Sequence, residues 1–154
     1  MDVKGVKVGL VGIYELYDHL EREQQLKNNI AKVKADGAQL IVVIFHWGNE
    51  TETVPDSNQT TLGRIAIDEG ADLVCGHHPH VLQGIEYTED GPIVYSLGDF
   101  WFNDETKYTG LLNLEITSEG LKQMSFTPCE QKDSQTQYLN NAESQRALFD
   151  HLQK

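Results

Sequence analysis

Residues 3–14 (VKGVKVGLVGIY) alternate apolar with polar or small positions and then run apolar. A period of two buries one face of a strand, so this stretch is expected to enter a core as β-structure. In residues 20–36 a charged background carries Leu26, Ile30 and Val33 at three- and four-residue spacing. That spacing predicts an amphipathic helix, with Asp18 as a candidate cap and Gly37 as its stop. Residues 39–45 (QLIVVIF) form a continuous apolar run, as a strand covered on both faces would. A second helix is expected over 58–69, capped by Ser57, with Leu62, Ile65 and Ala66 inward and Gly70 ending it. Residues 71–75 are the next strand, and the strand–helix–strand order implies parallel pairing through crossovers.

Beyond Cys75 the pattern changes. Residues 81–88 and 92–97 flank Glu89-Asp90-Gly91 and read as a hairpin; 110–116 and 121–127 flank Ser118-Glu119-Gly120 and read as a second. Phe100, Trp101 and Phe102 are expected as a core cluster beneath the intervening loop. Residues 130–140 read as a polar linker to a short helix over 142–152. The fold class is therefore α/β, a parallel β-α-β-α-β unit followed by antiparallel hairpins. The domain boundary is placed at residue 128, with 129–154 as linker and helix.

A length of 154 residues is enough for one buried core. No apolar run approaches the roughly 18–20 residues of a membrane-spanning helix. Cys75 and Cys129 do not make a disulfide framework. The net charge of −12 is concentrated: residues 35–106 hold 13 acidic side chains against Arg64 alone. This is either a solvated acidic face or a field that attracts a divalent cation. It argues against nucleic acid as a partner, because gripping phosphates requires Lys and Arg.

Half of the six histidines lie within Cys75-Gly76-His77-His78-Pro79-His80, at the end of the 71–75 strand. Imidazole is the commonest neutral metal ligand. Pro79 is expected to keep this segment extended, so that His78 and His80 share a side and His77 points away. His46 ends the 39–45 strand, and in open α/β sheets ligands bind beyond the carboxyl ends of the strands. His46 and the histidine cluster are thus expected side by side. His46 can be a ligand, a general base or simply a polar strand end. Glu50 can orient an imidazole or cap its own loop. Asp99, after Ser96-Leu97-Gly98, can form an Asx-type turn or reach the metal site as a partner or acid. Neutral imidazoles with carboxylate support suit Zn, Mn or Fe.

HWGNE (46–50), GADLVCGHHPHV (70–81) and GPIVYSLGDFWFN (91–103) together resemble the bacterial CapA-type capsule synthesis proteins, also called the poly-gamma-glutamate synthesis family. These are relatives of the calcineurin-like metallophosphatases, and the resemblance spans residues 3–128. It implies a metallophosphatase-like sandwich with His46, His78 and His80 at metal positions and His77 at a variable one. Catalytic roles then fall to His46, His80 and Asp99, with Glu50 and His77 in support or against substrate. The early acidic motif and the asparagine–histidine motif of the phosphatase relatives do not precede His46, so the chain is expected to be the C-terminal portion of a longer protein. The resemblance further implies capsule polysaccharide or poly-gamma-glutamate biosynthesis through a divalent-metal hydrolase. A non-catalytic scaffold in a membrane-bound synthesis and export complex is the alternative. The expected partners are other synthesis subunits and an anionic polymer or phosphoester. The expected location of the full-length protein is extracytoplasmic and membrane-associated.

Overall fold

The computed structural model describes residues 1–16 and 19–152. Its first apolar run is two strands, not one. Lys4 and Gly5 take φ of 52° and 89°, turning the chain so that β1 (Asp2–Val3) pairs antiparallel with β2 (Val6–Glu15). The Asp2 carboxylate accepts the Gly5 N–H at 2.9 Å and closes the turn. Then come α1 (His19–Ala35), β3 (Leu40–Trp47), α2 (Ser57–Asp68) and β4 (Leu73–His77), with β2, β3 and β4 parallel as the pattern implied. Asp18, the candidate cap of α1, lies outside the described residues. The cap of α2 is Asp56 rather than Ser57: its side chain accepts from the N–H groups of Asn58 and Gln59, and the Gln59 side chain returns the bond to the cap's own N–H. This reciprocal pairing satisfies donors that a helix start otherwise leaves open.

The first hairpin is present but short. β5 (Ile85–Tyr87) pairs antiparallel with β6 (Pro92–Val94), and β6 joins β4 in parallel, giving the order β1-β2-β3-β4-β6-β5. A second sheet holds β7 (Lys107–Thr117), β8 (Gly120–Lys132) and β9 (Gln135–Tyr138), all antiparallel. The linker expected over 130–140 is therefore mostly strand. Asp133 and Ser134, at φ of 50° and 57°, make the two-residue turn that folds β9 back on β8. α3 (Ala142–Leu152) follows, its first turn capped by the Asn141 side chain.

The central sheet lies between two layers. On one face Val11, Ile13, Ile41, Val43, Phe45 and Val74 pack on Leu26 and Ile30 of α1 and Leu62, Ala66 and Ile67 of α2. On the other, Val6, Val8, Leu40, Val42 and Leu73 meet Leu112, Ile116, Leu121 and Met124 of the second sheet. That explains the unbroken apolar run of β3, but the second cover stops short: Ile44 is 37% and Leu10 is 52% exposed. No helix among the described residues is long and apolar enough to cross a membrane. Cys75 and Cys129 are both free, and burial pushes the Cys75 thiol up to about 11.

Candidate metal centre

Parallel register brings three strand ends into one row. Tyr14 lies opposite His46, and His46 opposite His77. Beneath them Trp47 is fully buried, stacked on Phe45 with ring centroids 4.1 Å apart, and its Nε1 donates to the Tyr95 carbonyl at 2.8 Å. Trp47 is packing, and it presses on Gly76. A Cβ at position 76 would stand 2.2 Å from the indole Nε1 and 2.1 Å from the Tyr95 oxygen. The glycine before the histidines is thus a matter of space.

The segment after β4 is not extended. His78 and His80 have φ of 103° and 60°, in the left-handed region that non-glycine residues rarely occupy. Pro79 therefore sits between two bends instead of straightening the chain. Such residues cost about 1–3 kcal/mol each and persist where the surroundings hold them. Part of the hold is Thr51, itself at φ 66°, whose N–H donates to the Pro79 carbonyl at 2.8 Å. This bond stitches the loop after β3 to the histidine segment. It brings one donor atom from each of Glu50, His78 and His80 within 4.8 Å of one another.

The expected set divides here. His78 and His80 stand together with Glu50. His46 faces His77, Nδ1 to Nδ1 at 3.0 Å, and its ring centroid lies 4.5 Å from that of His78. His77 thus meets His46 instead of pointing away. One nitrogen of that pair must carry a proton and the other a lone pair, so as neutral rings His46 and His77 hold opposite tautomers. Lost hydration, followed by the neighbouring imidazoles, lowers the pKa of His46; lost hydration and then His78 lower that of His77.

Of the two roles open to Asp99, the structure shows contact with the cluster. Its buried carboxylate lies 2.6 Å from His80 Nδ1 through Oδ1 and 3.0 Å from Lys107 Nζ through Oδ2. A proton held at Nδ1 leaves the Nε2 lone pair of His80 for a ligand, the arrangement in which a carboxylate orients a metal-binding histidine. Burial pulls the Lys107 pKa down, but hydrogen bonds to Asp99 and Glu105 and their charges outweigh it, and the net shift is up. Lys107 was not anticipated, nor was Thr51, nor a place at the site for Phe102, whose ring centroid lies 4.6 Å from that of His80. The signal available for Lys107 was its place as the first cation after the acidic stretch. Phe100, Trp101 and Phe102 are not a core cluster: they are 47, 69 and 61% exposed.

The donor chemistry fits a divalent ion. Two imidazoles and a carboxylate within reach of one centre suit Zn, Mn or Fe, and three protein ligands leave positions open.

The family model described as bacterial capsule synthesis protein PGA_cap matches residues 2–104. The chain belongs to this family. The matched part contains the central sheet and every site residue named above except Lys107 and its partner Glu105. Over 124 residues the chain is 32% identical to the capsule biosynthesis protein CapA of Bacillus anthracis, covering 79% of this chain and 30% of that one. Over 96 residues it is 38% identical to the PGA biosynthesis protein CapA of Bacillus subtilis strain 168, covering 60% and 25%. The chain thus spans less than a third of the length of these PGA_cap relatives. A hypothetical protein from Thermus thermophilus shares the fold with a TM-score of 0.63 at 13% identity, over 84% of this chain and 60% of that one.

Proposed function

We propose that this member of the PGA_cap family carries part of a metal-dependent, phosphoesterase-like site that acts in the synthesis of a capsule polymer. The observation that carries the reading is the grouping of Glu50, His78 and His80, with His80 braced by the buried Asp99 carboxylate. When bound, a divalent ion would supply Lewis acidity toward a phosphoryl or acyl oxygen. The protein's own part is to present His78, His80 Nε2 and the Glu50 carboxylate as donors. Asp99 fixes the His80 tautomer, and Lys107 holds the Asp99 carboxylate in place through Oδ2. His46, kept neutral by its surroundings, accepts a proton and passes one through Nδ1 to His77. The strained φ values at His78 and His80 support the same reading, because such strain gathers at functional sites. The partners proposed with this reading are other polymer-synthesis subunits at the membrane.

The test is hydrolysis of bis(p-nitrophenyl) phosphate with Mn, Zn or Fe added to the purified chain. His46→Ala is expected to lower kcat by roughly 10²–10⁴-fold while metal is retained. His80→Ala is expected to lose both metal and turnover. A chain that binds metal fully yet hydrolyses nothing would support the accessory, non-catalytic role instead.

A further inference from the structure

Two uncharged amides are completely buried beside the histidine segment, Gln59 on α2 and Gln83 in the stretch between β4 and β5. Burying an amide is costly unless its polar atoms are bonded, so the groups these two serve show what they are for. Gln59 Nε2 donates to Gln83 Oε1 at 2.7 Å, and Gln83 Nε2 donates to the Glu52 carbonyl at 2.9 Å. Gln59 Oε1 accepts the Asp56 N–H at 3.0 Å, the return bond of the α2 cap. The Gln59 amide also lies against Gly48, where a Cβ would stand 2.7 Å from its Cδ. The loop carrying Glu50 is thus held at Gly48, Glu52 and Asp56 by one pair of side chains. The helix cap accounts for Gln59 but not for Gln83.

Gln83 is the joint between the parts of the site. It closely follows His80 in the chain. Its backbone N–H donates to the Ser96 carbonyl at 3.2 Å, just ahead of Asp99, and the neighbouring Leu82 bridges Leu97. Its side chain reaches across to Glu52, just past Glu50. The segments carrying His80, Asp99 and Glu50 therefore meet at one residue. The bond from the Thr51 N–H to the Pro79 carbonyl is a second tie, so adjacent loop residues 51 and 52 are each bonded to the histidine segment. A metal centre assembled from separate loops needs such support, because ligands misplaced by about 1 Å hold an ion poorly.

We propose that Gln83, with Gln59 behind it, is the positioning residue of the centre: it fixes the Glu50 loop against the histidine segment so that Glu50, His78 and His80 can share one ion. The proposal rests on the reading of those three residues as a metal centre and deepens it with what sets their separation. Two measurements on the whole chain test it. Hydrogen exchange in the metal-free protein reads the loop by itself. Gln83→Met, similar in length but without the amide, is expected to speed exchange at the Thr51 N–H roughly tenfold more than at Val43 in the buried centre of β3, which reports opening of the core. Zn calorimetry in a double-mutant cycle reads the centre. Gln83→Met should weaken Zn binding about tenfold in the unmodified background and less than about twofold beside Glu50→Ala, because the ligand it places is then already gone. A merely structural residue would lower affinity by the same factor in both backgrounds. Where Gln83→Met does not fold, Gln83→Asn, whose amide is too short to reach both partners, carries both tests. Thr51 exchange quickened no more than that of Val43, an unchanged Zn affinity, or an equal loss with and without Glu50 would each overturn the proposal. If Zn fails to bind the unmodified chain, the metal reading falls while exchange at Thr51 still decides whether Gln83 holds the loop.

Discussion

At the scale of single residues the Asp99–His80 contact carries the most weight, because a buried carboxylate selects which imidazole nitrogen is free. Asp99→Asn keeps the shape and loses the charge. Metal affinity measured by calorimetry is expected to fall roughly 10–100-fold, the usual cost of removing such a partner. The paired His46 and His77 make a second prediction. Both have pKa values below the ordinary 6.5, so the folded chain binds fewer protons than the unfolded one between the lowered values and 6.5. Their contribution to stability is thus complete above 6.5 and declines as pH falls through that window. Ring proton resonances followed by NMR in the metal-free protein should titrate below 6.5 for these two histidines; titration at or above it would remove the crowding argument. His78, His80 and Asp99 were legible in the sequence because each follows an apolar run that had to be a strand. The left-handed backbone at 78 and 80 was not, since a Pro between two histidines reads as extension. Nor was Lys107, whose link to Asp99 depends on where β7 begins.

At the scale of elements, the loop from Gly48 to Asp56 is what brings Glu50 to the histidines, and its far end is fixed by the start of α2. Asp56→Ala removes the reciprocal cap. It is expected to cost about 1 kcal/mol of stability, read as a lower midpoint in urea, and to loosen the loop carrying Glu50. An unchanged midpoint would mean that the cap does not anchor the loop. The parallel unit β2-α1-β3-α2-β4 was readable because β2 kept a period of two, the helices a period near 3.6, and β3 an unbroken apolar run. β9 was hidden for the opposite reason. Gln135 to Tyr138 has no apolar alternation and pairs through backbone alone on an outer edge, so composition made it look like a linker. The segment 100–102 misled in the other direction: three aromatics in a row imply burial, yet here they are held out by hydrogen bonds from β8 and β9.

For the whole molecule, a central parallel sheet faces helices on one side and an antiparallel sheet on the other, and the strand ends of β2, β3 and β4 present one polar rim. That rim lies within the part matched by the PGA_cap family. At that rim the Glu50 and Asp99 carboxylates stand beside the histidines, and local negative charge of this kind favours a cation. The central claim is that Glu50, His78 and His80 hold one divalent ion. Elemental analysis of the chain purified without chelators and reloaded with Zn or Mn tests it most directly, beside the paired substitution His78→Ala with His80→Ala. The account predicts about one ion per chain and none in the substituted protein. An unsubstituted chain that stays metal-free, or a substituted one that binds as well, would contradict it.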